Sequence, residues 1–228
     1  MKRNQSGFTL IEIAIVLVII GLLLGGVMKG QELINSAKVK NLAADFKNTS
    51  LYIYSYQDKF RTLPGDDPQV GDHVTGASAA SPTATLGNGR IDGRWDDYST
   101  LTTEAVMFWQ HVRLAGIATG ITTPNDTSTA YPPRNTLGGL IGVTNSVAAA
   151  ATDGLPIATL KGSYIICSGN IQGKFAKQLD IMMDDGVTNS GSMMTALTVT
   201  ASTGSAAVTP KANNDVEDST LYTVCMGV

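Results

Sequence analysis

The chain has 228 residues, of which 43% are hydrophobic, and its formal net charge at pH 7 is -3. This length allows one membrane helix and one globular domain of ordinary size, and the acidic balance argues against a general nucleic-acid-binding protein. The two histidines are His73 and His111, and the sequence contains no GxSxG, HExxH, P-loop or CxxC motif. We therefore expect a protein that is not an enzyme.

The N-terminus combines a short basic leader with a long apolar run. Lys2 and Arg3 lie in the leader, and from Phe8 to Met28 the only charged residue is Glu12. A helix rises about 1.5 Å per residue, so this run spans roughly 30 Å, enough to cross the hydrocarbon core of a bilayer. We predict a membrane helix whose N-terminus is cytoplasmic, because basic flanking residues favour that orientation.

Two common kinds of segment share the basic start and the apolar run. A secretory signal peptide carries its small cleavage-site residue after the apolar run, but here Gly7 precedes it. A plain membrane anchor explains the length but not Glu12, because an ionisable side chain in a membrane helix costs about 3 kcal/mol and indicates a function. If Glu12 instead lies at the headgroup boundary, its carboxylate reaches water and has no special role.

The segment Gly7-Phe8-Thr9-Leu10-Ile11-Glu12, between the basic leader and the apolar run, resembles the type III signal of type IV pilins and type II secretion pseudopilins. The resemblance implies that a prepilin peptidase cleaves between Gly7 and Phe8 and that the new amino group of Phe8 is methylated. It also implies that Glu12 neutralises the Phe8 amine of a neighbouring subunit in a fibre. Opposite charges attract strongly at low dielectric constant, where either charge alone is costly.

Four glycines lie in the second half of the apolar run: Gly21, Gly25, Gly26 and Gly30. Their spacing forms small-xxx-small pairs, which let helices approach closely, and each glycine weakens a helix interior by about 1 kcal/mol relative to alanine. Many type IV pilins carry a proline in this region, where their helix melts in the fibre. This sequence has none there, so we expect the glycines to provide the weak point, although glycine is also common in membrane helices generally.

Residues 31–61 are more polar but keep an apolar stripe at alternating steps of three and four residues. The stripe consists of Val39, Leu42, Phe46, Thr49, Ile53, Tyr56 and Phe60. We interpret this segment as the second half of one long helix that packs on the globular domain, with a coiled-coil stalk as the alternative. Pro64 and Gly65 then end the helix. The predicted divisions are a leader (1–7), a transmembrane half-helix (8–30), an amphipathic half-helix (31–62) and a head domain (63–228).

Residues 69–100 predict a long loop rich in small and polar residues. Within it, Asn88, Asp92 and Asp96 offer oxygen ligands of the kind that calcium prefers. Asx turns and glycine turns explain the same residues without a metal, and we favour that interpretation. Related pilin-like sequences share this segment and the neighbouring Pro64-Gly65-Asp66-Asp67, so the resemblance implies a framework role for both.

The rest of the chain predicts helices and short strands. Residues 102–117 predict a helix with Ala105, Phe108, Val112 and Ala115 on one face, and residues 118–156 predict a loop. A second helix is predicted over Lys174–Met183, with Phe175, Leu179 and Met182 facing inward. The β-rich runs are Ala158–Leu160, Ser163–Cys167, Thr195–Thr200 and Leu221–Met226. Residues Ser202–Asn214 predict a surface loop that is either mobile or glycan-bearing.

Two features of the C-terminal third leave alternatives open. Asp184 and Asp185 follow the second predicted helix and form either a possible cation site or an ordinary helix end terminated by Gly186. Cys167 and Cys225 can pair in a domain exported past the inner membrane, but the sequence alone does not fix their geometry. Type IV pilins often close a C-terminal loop with a disulfide, so the resemblance implies this pairing.

The overall prediction is an α+β, pilin-like fold with a long N-terminal helix packed on a globular head and a C-terminal antiparallel sheet. The resemblance implies a structural subunit of a type IV pilus-like or type II secretion fibre: a minor pilin, a pseudopilin or a pilin. Its implied partners are a prepilin peptidase, other pilin or pseudopilin subunits and the assembly platform of the bacterial inner membrane, with the head in the periplasm. We expect no cofactor other than possible calcium and no specific nucleic acid. The alternative is a non-polymerising, membrane-tethered binding module that uses the same export signal.

Overall fold

The computed structural model describes residues 10–80, 86–125, 130–145, 157, 159–198 and 208–228. The chain divides into two compact units, Met1–Lys38 and Val39–Val228. Helix α1, Leu10–Phe60, is a single 51-residue helix that contains the boundary between the two units. The long N-terminal helix of the predicted fold is therefore confirmed.

In the N-terminal unit every described residue is helical. The large apolar side chains between Leu10 and Ile34 are 46–93% exposed, and the helix is long and apolar enough to cross a membrane. Exposed apolar surface costs roughly 25 cal/mol per Å² in water, so this surface requires a lipid or protein environment. The helix continues through all four glycines without a break, and the predicted weak point, which concerns the fibre, stays a prediction.

In the second unit the apolar stripe of α1 lies in the core. The buried residues of α1 are Val39, Leu42, Ala43, Phe46, Thr49, Ile53 and Tyr56. This agrees with the predicted stripe, because residues at steps of three and four share one helix face. Beyond Phe60 the chain leaves the helix at Arg61, whose φ of 62° is left-handed. At Gly65, with φ of 95°, a Cβ atom would lie 2.5 Å from the carbonyl oxygen of Glu104, so only glycine allows the chain to bend this closely.

Two further helices follow. Helix α2, Val70–His73, is a short helix within the stretch that was predicted to be a loop. Helix α3, Glu104–Leu114, confirms the predicted helix over residues 102–117 with shorter ends. Its residues from Glu104 to Arg113 are all buried, including four charged or polar side chains, so α3 is a core helix and its polar groups need partners inside the protein.

A four-stranded antiparallel sheet completes the fold. Its strands are β1 Ile141–Asn145, β2 Tyr164–Gln172, β3 Met193–Leu197 and β4 Leu221–Gly227, and their order in the sheet is β1-β2-β4-β3. This confirms the predicted α+β class with a C-terminal antiparallel sheet. Helix α4, Gly173–Met183, follows β2 directly and matches the predicted helix, and a short 3-10 helix covers Asn213–Asp215.

Several predicted strand positions were wrong. Strand β1 lies within the predicted loop 118–156. Strand β2 extends to Gln172, past a register shift between Ser168 and Ile171 that includes Asn170 with φ of 55°. A β-bulge of this kind lets the strand continue through Gly169 and Asn170. Glycine and asparagine are depleted in strands, so the sequence did not predict this extension.

The ends of two other predictions also changed. The run 158–160 is not a strand in the described part of the chain, where Ile157 forms an isolated bridge to Val208. Strand β3 begins two residues before the predicted run, and residues 199–200 of that run lie outside the described residues, as do residues 202–207 of the predicted loop. On α4, Phe175 and Leu179 are buried as predicted, but Met182 is 47% exposed.

Candidate functional site

The residues predicted to act in processing and assembly are at the N-terminus. Gly7 and Phe8 lie outside the described residues. Glu12 is in the first turn of α1, on an exposed helix surface. A negative charge is favourable there because the N-terminus of a helix carries a partial positive charge.

The four predicted packing glycines lie on the same helix. A Cβ atom added at any of them would meet no atom within 4 Å. None of the described residues of the N-terminal unit, 10–38, therefore requires glycine at these positions. Contacts with other helices remain the predicted reason for their presence.

Cys167 and Cys225 form a disulfide that joins the two central strands of the sheet. The two residues are directly opposite each other in the pairing of β2 with β4, and both are fully buried. The bond closes a loop with a sequence separation of 58, which contains α4 and β3. It therefore fixes the C-terminal strand to the centre of the head.

Asp66 organises the loop that was considered as a calcium site. Its carboxylate accepts hydrogen bonds from the backbone N–H groups of Gly87, Asn88 and Gly89, the last at 2.7 Å. Gly87 and Gly89 both have φ of 78°, the left-handed conformation that such a concave arrangement of N–H groups needs. The loop thus binds a carboxylate of the protein itself.

The three predicted calcium ligands of this loop all have protein partners. The Asp92 carboxylate accepts hydrogen bonds from the side-chain amides of Asn88, at 3.0 Å, and Asn145, at 2.8 Å. Asp96 forms an ion pair with Arg94 at 3.0 Å. These contacts account for the residues without a metal, which favours the turn interpretation.

Asp67 has different partners from its neighbour Asp66. Its buried carboxylate accepts hydrogen bonds from the Tyr56 hydroxyl at 2.8 Å, from His73 Nδ1 at 2.7 Å and from the backbone N–H of Gln69. Burial acts to raise the pKa of Asp67, but the bonds from His73 and Tyr56 outweigh it and lower the pKa. Asp67 therefore ties α1 to α2, and the two adjacent carboxylates do not converge on one site.

His111 is a buried packing residue of α3. Its Nδ1 accepts a hydrogen bond from the Gly65 N–H at 2.9 Å, so its Nε2 carries the proton and donates to the Ser78 carbonyl oxygen at 2.9 Å. Burial lowers the pKa of His111, although the bond to Ser78 acts in the opposite direction. The neutral ring thus joins two loops to α3, in a structural role.

Glu104 is a fully buried carboxyl group that the sequence did not single out. One oxygen accepts a hydrogen bond from the Asp92 N–H at 2.8 Å, and the other has no hydrogen-bond partner among the described residues. Burial raises the pKa of Glu104 to about 8, the Asp92 N–H opposes the shift, and the charges of Asp66 and Asp92 add to it. The protonated form therefore predominates at neutral pH.

Replacing Glu104 with glutamine is expected to make stability less sensitive to pH. A raised pKa contributes stability that is fully present below the unfolded pKa of about 4.5 and is lost as the pH rises through about 8. Glutamine mimics the protonated acid and keeps its stability above that range. Each pKa unit corresponds to about 1.4 kcal/mol. We therefore expect the free energy of unfolding of Glu104→Gln to exceed that of the native chain by a few kcal/mol at pH ~9 and to match it at pH ~4, below the unfolded pKa.

Urea unfolding of the full-length chain in detergent at a series of pH values measures this difference. Glu217→Gln is the matched control, because Glu217 is exposed and the same substitution there removes no buried charge. A stability difference between Glu104→Gln and the native chain that stays constant with pH would show that Glu104 does not titrate in this way.

The second predicted cation position gathers more carboxylates than the sequence indicated. Asp184 and Asp185 lie at the end of α4 with Asp180, and one oxygen from each lies within 4.8 Å of the others. Asp180 was missed because it was treated as part of an amphipathic helix. The signal that identifies it is its spacing of four residues from Asp184, which places both on one helix face.

Comparison with known protein families identifies the N-terminal segment. Residues 2–28 match the family described as the prokaryotic N-terminal methylation motif. The match contains Gly7, Phe8 and Glu12, together with most of the apolar run. No curated protein and no solved structure matches the chain.

Proposed function

We propose that this protein, whose residues 2–28 are a type IV pilin-like prepilin signal, is a structural subunit of a type IV pilus-like or type II secretion fibre. That signal is the observation that carries the proposal, because it marks a substrate of prepilin peptidase. The long exposed apolar helix supports membrane anchoring of the unassembled chain. Among the possible subunits, the chain is large for a major pilin, which favours a minor pilin or a pseudopilin.

In the proposed assembly, cleavage between Gly7 and Phe8 leaves a positively charged amine next to the membrane helix. Glu12 of one subunit pairs with this amine on the next subunit as the helices move from lipid into the fibre. Each charge alone is costly in a medium of low dielectric constant, and pairing relieves the cost. The exposed apolar side chains between Leu10 and Ile34 then contact neighbouring helices in place of lipid.

The head is proposed to have a binding or structural role without catalysis. Its histidines and paired aspartates are hydrogen-bonded within the framework: Asp66 to the 87–89 loop, Asp67 to Tyr56 and His73, and His111 to Gly65 and Ser78. The Cys167–Cys225 disulfide supports an oxidising compartment such as the periplasm, because thiols stay reduced in the cytoplasm.

Processing tests the proposal first. We expect the chain expressed in bacterial membranes with a prepilin peptidase to lose residues 1–7 and to begin at methylated Phe8, as measured by mass spectrometry of the intact protein. Without the peptidase the chain should retain the leader, and Gly7→Val should retain it even when the peptidase is present.

Gly21→Ala is the control for this experiment, because it changes a glycine of the same segment outside the cleavage site. It should be processed like the native chain. Equal processing of the Gly7→Val variant, or a native chain that stays intact beside an active peptidase, would contradict the proposal. A chain that is processed but never enters a fibre would favour a membrane-tethered binding module.

A further inference from the structure

Asp180 is a buried carboxylate with no hydrogen-bond partner among the residues that the structure describes. The residue is fully buried in the last turns of α4, and neither of its carboxylate oxygens forms a hydrogen bond with any described residue. The N–H groups of Gly186 and Val187 approach this carboxylate without reaching hydrogen-bond geometry. Since buried polar groups are nearly always hydrogen-bonded, an unpaired carboxylate needs a specific explanation.

The carboxylates of Asp184 and Asp185 lie next to it, with one oxygen of each of the three within 4.8 Å of the others. Both are oriented by the loop that follows the helix. Asp184 accepts hydrogen bonds from the Ser192 hydroxyl at 3.1 Å and the Met193 N–H at 2.8 Å.

Asp185 is oriented in the same way. It accepts hydrogen bonds from the Val187 N–H at 2.8 Å and the Ser190 hydroxyl at 2.9 Å. A carboxylate offers about four lone-pair positions, so Asp184 and Asp185 both retain acceptor capacity after these contacts.

The loop is shaped to hold these groups close together. Gly191 has φ of 79°, and a Cβ atom at this position would collide with the Asp184 carboxylate. The backbone therefore passes directly against Asp184 at a point where only glycine fits. This close approach keeps the oxygen atoms of the loop near the helix end.

The local charge is unfavourable unless a cation is present. Burial raises the pKa of Asp180 to about 6, and the charges of Asp185 and Asp184 add to the effect. Ionised carboxylates at this spacing repel one another, because one oxygen of each side chain lies within 4.8 Å of the others. Helix α4 has no basic residue in its last turn, and a helix C-terminus itself carries partial negative charge. Lys177, one turn earlier, forms its ion pair with Asp218.

We propose that Asp180, Asp184 and Asp185 bind a calcium ion. All three ligands are oxygens, which suit calcium or magnesium, whereas zinc and the softer metals favour nitrogen and sulfur. Calcium accepts six to eight oxygens in flexible geometry, so water and backbone carbonyl oxygens complete a site of this kind, whereas magnesium demands a near-ideal octahedron. The bound ion holds the last turns of α4 against the residues that follow the helix, and the Asp184 carboxylate also accepts its hydrogen bond from Met193 at the start of β3. This binding does not depend on fibre assembly.

The test uses the full-length chain in detergent at neutral pH, after treatment with EDTA. Titration calorimetry with CaCl2 should show binding, and saturating calcium should raise the melting temperature by about 5 °C. Asp180→Asn and Asp184→Asn should lose both responses. In the absence of calcium, Asp180→Asn should melt at or above the temperature of the native chain, because it removes a buried charge.

Asp97→Asn is the matched control, because the Asp97 carboxylate accepts a hydrogen bond from the N–H two residues later, as Asp185 does, but lies outside the cluster. It should respond to calcium like the native chain. No heat and no shift in melting temperature up to about 10 mM CaCl2 would overturn the proposal, since sites of exported modules bind in the range of about 0.1–1 mM. An equal shift with MgCl2, or an unchanged calcium response in Asp180→Asn, would overturn it as well.

Discussion

Replacing Glu12 with alanine is expected to remove the chain from fibres while leaving its expression and leader cleavage intact. In the proposed assembly, the methylated amine of Phe8 enters the fibre interior and needs a negative partner. Two opposite charges about 4 Å apart attract by about 4 kcal/mol at an effective dielectric constant of 20. Removing one partner of a buried pair costs about 3–5 kcal/mol, which corresponds to a loss of a hundredfold or more in the association constant.

The comparison of sheared filament and membrane fractions by immunoblotting measures this effect. Glu12→Gln separates charge from shape, since it keeps the size of the side chain, and it should fail like Glu12→Ala. Glu32→Ala is the matched control on the same helix, because Glu32 is exposed and forms an i,i+3 ion pair with Lys29 at the helix surface. Normal fibre incorporation of both Glu12 variants would contradict a role for this carboxylate in docking.

Replacing both Cys167 and Cys225 with alanine is expected to destabilise the head by about 4 kcal/mol. This value follows from the loop-closure entropy of the sequence separation of 58 in the unfolded chain. A change of this size lowers the melting temperature by roughly 8–16 °C in a domain of this length. Urea unfolding of the full-length chain in detergent measures the free energy of unfolding directly.

Reduction of the native chain provides an internal control for the cysteine variant. Dithiothreitol should lower the stability of the native chain by a similar amount and should leave the double variant unchanged. Equal stability of the native chain and the double variant under oxidising conditions would show that the bond contributes nothing to the fold.

The sequence predicted the elements whose signal is local and periodic. The stripe from Val39 to Tyr56 repeats over several turns, so it identified both the amphipathic half of α1 and its buried face. Helix α4 was recognised in the same way. The prediction of its buried face was only partly correct, because Met182 is 47% exposed whereas Asp180 is fully buried. Hydrophobicity alone ranks methionine above aspartate for burial, so the pattern of the sequence could not predict this order.

Strand β1 was not predictable from its own residues. The segment Ile141-Gly142-Val143-Thr144-Asn145 is short and contains glycine and asparagine, which are depleted in strands. Contacts with residues that are distant in the sequence determine where this strand lies. A Cβ atom on Gly142 would collide with the carbonyl oxygen of Trp95, and the Thr144 hydroxyl donates to the Gly93 carbonyl oxygen at 2.8 Å.

The hydrogen-bonding network of the head could be predicted only in part. The glycines at 87 and 89 indicated turns, and turns are present. The group that these turns surround is Asp66, which lies more than twenty residues earlier in the sequence. The burial of Glu104 likewise depends on α3 being enclosed on all sides, which a single-sequence pattern does not show.

The most direct test of the proposed fibre subunit is the N-terminal mass of the chain recovered from sheared surface filaments or, if the fibre stays in the periplasm, from purified periplasmic fibres. We predict a chain that begins at Phe8, lacks residues 1–7 and carries one methyl group on its amino terminus. A fibre-associated or membrane chain that still begins at Met1 would contradict the interpretation of the whole N-terminus. A processed chain that is absent from every fibre would contradict its role as a structural subunit.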